Sequence, residues 1–158
     1  MRNIFWLIPD RLAGRPGPTQ EPWSLAELRA GGFDSVLNLS QYEPCSAEFV
    51  NAGLEVTWVP LPTTVPPDQA AEQACFELLP VAHQFLSDQL KSGRRVLVHC
   101  VVGRDRTGML LAYHIARSRG LPAATAIEHV REVRPNALAA AGWERMAERV
   151  ISKLLAAG

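Results

Sequence analysis

Apolar positions along the chain fall into short runs separated by polar turns, and two periods alternate. The runs "NIFWLI", "DSVLNLS", "EVTWVPL" and "RRVLVH" are six or seven residues long and rich in β-branched or bulky side chains, which predicts strands. The first is expected to pair with a short strand near Leu12. Between the runs lie stretches with helical spacing. "SLAELRAGGF" opens with Ser24 three residues before Glu27, a capping-box spacing, and stops at Gly31-Gly32. "EPCSAEFVNAGL" predicts a short helix ending at Gly53. "DQAAEQACFELLPVAHQFLSDQLKSG" predicts a long one that Pro80 should kink or split. "TGMLLAYHIARSRG" is stopped by Gly120. "PAATAIEHVREVR" begins with Pro122, where a missing N–H is harmless, and its end is set by Pro135. Trp143, Met146, Val150 and Leu154 form one face of a last helix. Strands alternating with helices predict an α/β protein with a mostly parallel central sheet and helices on both faces, here as a single domain over residues 1–158.

Composition narrows the partners. With 158 residues, 47% apolar and 20% charged, the chain can bury one core of ordinary size. A formal net charge of zero argues against a bulk electrostatic partner such as duplex nucleic acid and leaves room for a local basic pocket. Cys45, Cys75 and Cys100 are odd in number and widely spaced, without metal-ligand spacing, so reduced thiols in a cytoplasm and no metal are expected. Cys45 and Cys75 read as ordinary buried thiols. The apolar stretch of "MRNIFWLIPD" is too short for a signal peptide, and no segment approaches a membrane span.

The chemistry concentrates in "VHCVVGRDRTG", residues 98–108. This turn joins the carboxyl end of an apolar strand to the amino end of a helix, the usual ligand crevice of open α/β sheets. Gly103 allows positive φ, so the backbone can curl and point successive amides inward as an anion nest. The helix that follows, read from Thr107, adds its own free N–H groups and the positive end of its dipole. Arg106 can close the ring with a fork that matches two phosphate oxygens. Val101, Val102, Gly103, Arg104, Asp105 and Arg106 are thus the expected phosphate-binding residues, and phosphate or sulfate fits the site. Cys100 at the base is expected to be a thiolate that attacks phosphorus and forms a phosphocysteine. Thr107 hydrogen-bonds that sulfur, and His99 braces the loop.

"HCVVGRDRTG" resembles the signature loop of the cysteine-dependent protein tyrosine phosphatases: His-Cys, five residues, Arg, Thr, Gly. The general plan, including the "RPNA" turn, resembles the small dual-specificity phosphatases over nearly the whole chain. The resemblance implies metal- and cofactor-free hydrolysis of phosphomonoesters, with Cys100 and Arg106 essential and a phosphoprotein or phosphorylated small molecule as partner. It also implies a general acid, an Asp on a loop before the signature strand. Here Thr63 stands at the matching place. Asp68 lies 32 residues before Cys100 (100 − 68) and is one candidate, although "PPD" also opens helices. Asp105 is the other, because "GRDRTG" resembles a bacterial branch with Lys-Asp before the Arg, whose members also act on phosphoinositides. Relatives position the hydrolytic water with a Gln after the "RPxA" turn. This chain has none there, and Asn136 takes that part or only fixes the turn. Arg131 and Arg134 either rim the pocket or are solvated. Three readings follow: a tyrosine or dual-specificity phosphatase, a phosphatase for phosphoinositides or another non-protein phosphate, and a phosphate-binding pseudophosphatase.

Overall fold

The computed structural model describes residues 1–158. The strands are β1 (Phe5–Ile8), β2 (Leu12–Arg15), β3 (Ser35–Asn38), β4 (Glu55–Trp58) and β5 (Val96–His99). They form one sheet in the order β1-β2-β5-β3-β4. Only β1 runs antiparallel, as the partner of β2; the other pairs are parallel. The predicted mostly parallel sheet is therefore present, with β5, the strand that carries the signature loop, at its centre.

Alternation along the strands divides the core in two. Leu12, Leu37, Val96 and Val98 face the larger cluster. That side is covered by α3 (Gln69–Lys91), α4 (Asp105–Arg119), α5 (Ala123–Arg131) and α6 (Trp143–Ala157). Ala13, Val36 and Leu97 face the other way, onto Leu28 and Phe49 of α1 (Leu25–Ala30) and α2 (Ser46–Asn51).

Local signals explain the ends. Ser24 caps α1 by accepting from the Glu27 amide at 3.0 Å. Gly120 ends α4 in the left-handed conformation, φ 65°. Three expectations need correction. Pro80 does not split its helix; α3 runs through it, with Leu79 and Ala82 on either side of the ring fully buried, so packing outweighs the missing backbone bond. Helix α4 begins at Asp105, two residues before Thr107. Cys45 is exposed at the start of α2, whereas Cys75 is buried as expected, and burial pushes its thiol up to about 12.

Burial also holds histidines neutral. His83 of α3 and His99 are each pushed down to about 4, and His114 of α4 is lowered too, chiefly by desolvation. His83 Nε2 and His114 Nδ1 lie 3.1 Å apart, so one donates and the other accepts. An unfolded chain takes up these protons near pH 6.5, the folded chain only at lower pH, near 4 for His83 and His99. Stability is therefore full above about pH 6.5 and is lost as pH falls from there toward 4. The melting temperature is expected to be about 10 °C lower at pH 4.5 than at pH 7. His83→Gln should narrow that gap; an unchanged gap in calorimetry would contradict the assignment to these histidines.

Candidate active site

Cys100 follows β5 directly, and every carbonyl from Cys100 to Arg104 is taken by the surrounding protein. The Cys100 oxygen accepts from His99 Nδ1 at 2.8 Å. The Val101 oxygen accepts from the Gly17 amide at 2.8 Å. Arg134 donates from Nη2 to the Val102 oxygen at 2.9 Å and from Nε to the Gly103 oxygen at 3.1 Å. The Arg104 oxygen accepts from the Gly108 amide at 3.1 Å and the Leu138 amide at 3.3 Å. In a trans peptide the carbonyl and the following N–H point in opposite directions. Turning five successive carbonyls outward therefore turns the amides of Val101 to Asp105 inward.

The bonding of those amides agrees. Those of Val101, Val102, Arg104, Asp105 and Arg106 donate to no backbone carbonyl. The Gly103 amide donates to Cys100 Sγ at 3.3 Å. Sulfur thus lies on the side to which the amides point. Thr107 Oγ1 donates to the same sulfur at 3.2 Å, as its spacing in the sequence suggested. The two donors hold Sγ in place at the base of the loop. Cys100 itself is buried.

The loop leaves no room for side chains at two glycines. Gly103 has φ +72°, and a Cβ on it would lie 2.6 Å from the Arg15 carbonyl. On Gly17 a Cβ would lie 2.2 Å from the Cys100 oxygen. The N-terminal strand thus passes directly behind the cup. Arg15, in register with His99 at the end of β2, is fully buried there. Its Nη2 donates to the Glu21 oxygen at 2.8 Å and its guanidinium sits 4.9 Å from the Trp23 ring centroid. Burial lowers its pKa, against the opposing pull of Glu21 and Glu27. Trp23 in turn meets the His99 ring edge-on at 4.9 Å. Because a carbonyl oxygen only accepts, His99 Nδ1 carries the ring proton, and the neutral imidazole is locked by one bond and one aromatic contact.

Arg106 projects from the first turn of α4, and its Nη1 donates to Gln41 Oε1 at 3.1 Å. The remaining candidates divide. Asp68 accepts from the Ala71 amide at 2.8 Å and so caps α3 with one carboxylate oxygen. Asp105 accepts from the Arg104 guanidinium at 3.1–3.3 Å and from the Ala140 amide at 3.2 Å. Arg104 is thereby committed to its neighbour. Thr63 and Asn136 are exposed, and the side chain of Asn136 does not reach the cup through any hydrogen bond. Trp143 is core, and its Nε1 donates to the Thr64 oxygen at 3.0 Å, which ties the loop before α3 to the start of α6. Arg131 braces the "RPNA" turn through the Ala137 oxygen at 3.0 Å rather than lining the pocket.

Beside the cup, Cys100 and His99 share a cavity of about 430 Å³ with Trp23, Tyr42 and Phe49. Glu43 and Glu48 line it as well, and no Lys or Arg does. Sequence reading missed Gln41, Gly17 and the clamp formed by Arg134. The one available signal was the Gly of "RPGPTQ", placed where a backbone must come close.

Residues 19–148 match the family model described as dual specificity phosphatase, catalytic domain. Dual specificity protein phosphatase 1 of Arabidopsis thaliana is 34% identical over 61 residues, 39% of this chain and 31% of that protein. The chain thus spans less than a third of that curated relative's length. Among solved structures, Tk-PTP in its active form has a TM-score of 0.75 at 24% identity, covering 96% of this chain and 97% of its own. Human DUSP28 has a TM-score of 0.74 at 19% identity, covering 98% and 97%. At those identities the likeness speaks to the fold.

Proposed function

This chain belongs to the dual specificity phosphatase family, and on that premise we propose that it hydrolyses phosphomonoesters through a phosphocysteine on Cys100, as a single domain over residues 1–158. One observation carries the reading: five consecutive carbonyls are turned away from a buried sulfur, so that a row of amides surrounds it. Such a row fits the equatorial oxygens of a transferring phosphoryl group, where charge accumulates.

In the first step Sγ attacks phosphorus and the ester P–O bond breaks. Arg106 takes two of the phosphoryl oxygens, and the inward amides of Val101 to Arg106 take the rest. The leaving oxygen accepts a proton from Asp68, whose second carboxylate oxygen is left free by the cap on Ala71. Asp105, by contrast, has its carboxylate occupied by Arg104 and Ala140. Its part is to hold Arg104 and the turn after α5 against the loop. In the second step water attacks phosphorus, and sulfur leaves with the electron pair, stabilised by Thr107. His99 acts through the Cys100 carbonyl, as a brace.

The substrate is a phosphotyrosine peptide, with phosphoserine and phosphothreonine as further candidates. The cavity beside the cup supports this choice over a phosphoinositide: it presents Glu43 and Glu48, which repel a second phosphate and suit a basic peptide residue. A phosphotyrosine peptide is expected to exceed a phosphoinositide in kcat/KM; the reverse order would favour the non-protein substrate, and binding without turnover a pseudophosphatase. For the acid, Asp68→Asn should cost about 10²-fold on phenyl phosphate and only a few-fold on an activated aryl phosphate. Asp105→Asn should affect both esters equally. Equal losses for Asp68→Asn would reject it as the acid.

A further inference from the structure

We propose that Gln41 holds the water that hydrolyses the phosphocysteine, an assignment that rests on the phosphatase reading above. Gln41 leaves the sheet on the turn after β3, and its side chain makes one hydrogen bond, to Arg106 Nη1 at 3.1 Å. It is exposed, so water can reach the carboxamide beside the guanidinium.

The turn that carries it is fixed on both sides. Asn38 Oδ1 accepts from the Ser40 amide at 2.8 Å and the Ser40 hydroxyl at 2.7 Å. Asn38 Nδ2 donates to the Tyr42 oxygen at 3.0 Å, and the Tyr42 amide donates to Ser40 Oγ at 3.2 Å. Trp58 Nε1 closes the set on the Ser40 oxygen at 2.8 Å. Asn38 and Ser40 are buried, yet none of these bonds involves the Gln41 side chain. A turn held this firmly, with one free carboxamide directed at the phosphate-binding Arg, is a positioning device.

Its chemistry follows from where attack must occur. Once phosphorus is bonded to Sγ, amides and Arg106 surround its three oxygens, and the line opposite sulfur opens only at the mouth. Arg106 gives its fork to the phosphoryl oxygens. The carboxamide, one hydrogen bond from that fork, can then accept from a water over phosphorus through Oε1 and donate to a phosphoryl oxygen through Nε2. The water oxygen bonds to phosphorus, the P–S bond breaks with its electron pair going to sulfur, and the displaced water proton ends on the released phosphate. Gln41 orients and takes no proton. The segment after the "RPNA" turn offers no rival: Trp143 is buried on Thr64, and Asn136 has no side-chain bond to the cup.

The test is to let water and ethylene glycol compete for the phosphoenzyme formed from p-nitrophenyl phosphate. The ratio of inorganic phosphate to glycol phosphate reads the second step whichever step limits turnover. Gln41→Ala should lower that ratio about tenfold, while the rate constant for enzyme-bound nitrophenol release stays within about twofold. Gln41→Glu, which keeps an acceptor beside Arg106, should restore most of the ratio. An unchanged ratio overturns the proposal, whether turnover is normal or the first step slows, the latter meaning that Gln41 acts on Arg106 alone. Absence of any Cys100-dependent nitrophenol release from the wild-type chain would instead remove the phosphatase reading itself.

Discussion

Replacing Cys100 by Ser is expected to lower aryl phosphate turnover by about 10⁴-fold or more while leaving the affinity for phosphate or tungstate within a few-fold. The two halves of this expectation have different origins. Turnover is expected to need the sulfur, the atom at the base of the loop to which the Gly103 amide donates. Anion affinity needs the amides, and these are aimed by partners of the carbonyls, namely His99, Gly17, Arg134, Gly108 and Leu138. None of those bonds involves Sγ. Steady-state kinetics on p-nitrophenyl phosphate, with competition by the oxyanion, reads both. Residual activity above about one part in a hundred would mean that the reaction does not pass through Cys100. Loss of anion affinity would mean that sulfur also shapes the cup.

Arg106→Lys is expected to cost about 10³-fold in kcat/KM, although charge is conserved. The guanidinium stands at the mouth, held at one corner by Gln41, and its fork can take two phosphoryl oxygens in one plane. An ammonium supplies a point charge on a flexible stem, so the fit to the spreading charge of the transition state is lost. The loss should appear in kcat as well as KM, because the fork acts most strongly when charge is most spread. A variant within tenfold of wild type would show that the inward amides alone carry the phosphoryl group.

How much of this was legible in sequence depended on range. The strands and most helix ends follow from neighbours: Ser24 to Glu27, Gly120 after an apolar face, "RRVLVH" as a buried run. The motif also announced Cys100, Arg106 and the sulfur-directed Thr107, because curling a loop between strand and helix is a local event. The partners that curl it are remote. Gly17 and Arg134 lie 84 and 32 residues from the carbonyls they hold (101 − 17 and 134 − 102), and nothing in the motif names them. Gln41 was invisible for the same reason. That Pro80 leaves α3 unsplit depended on packing that propensity does not contain, and the exposure of Cys45 at the start of α2 is likewise set by the fold. The proposal of Asp68 over Asp105 rests on the competing claims on each carboxylate, which come from residues that the motif does not name.

The stretch matched by the family begins at residue 19, whereas the amide that restrains Val101 belongs to Gly17, and the backbone pressed against Gly103 belongs to Arg15. A truncated chain starting at residue 19 would keep the whole signature and lose the back wall against which it is moulded. The set of residues that shapes the signature loop is accordingly larger than the stretch that identifies the family, and it takes in the end of β2 and the turn that follows it.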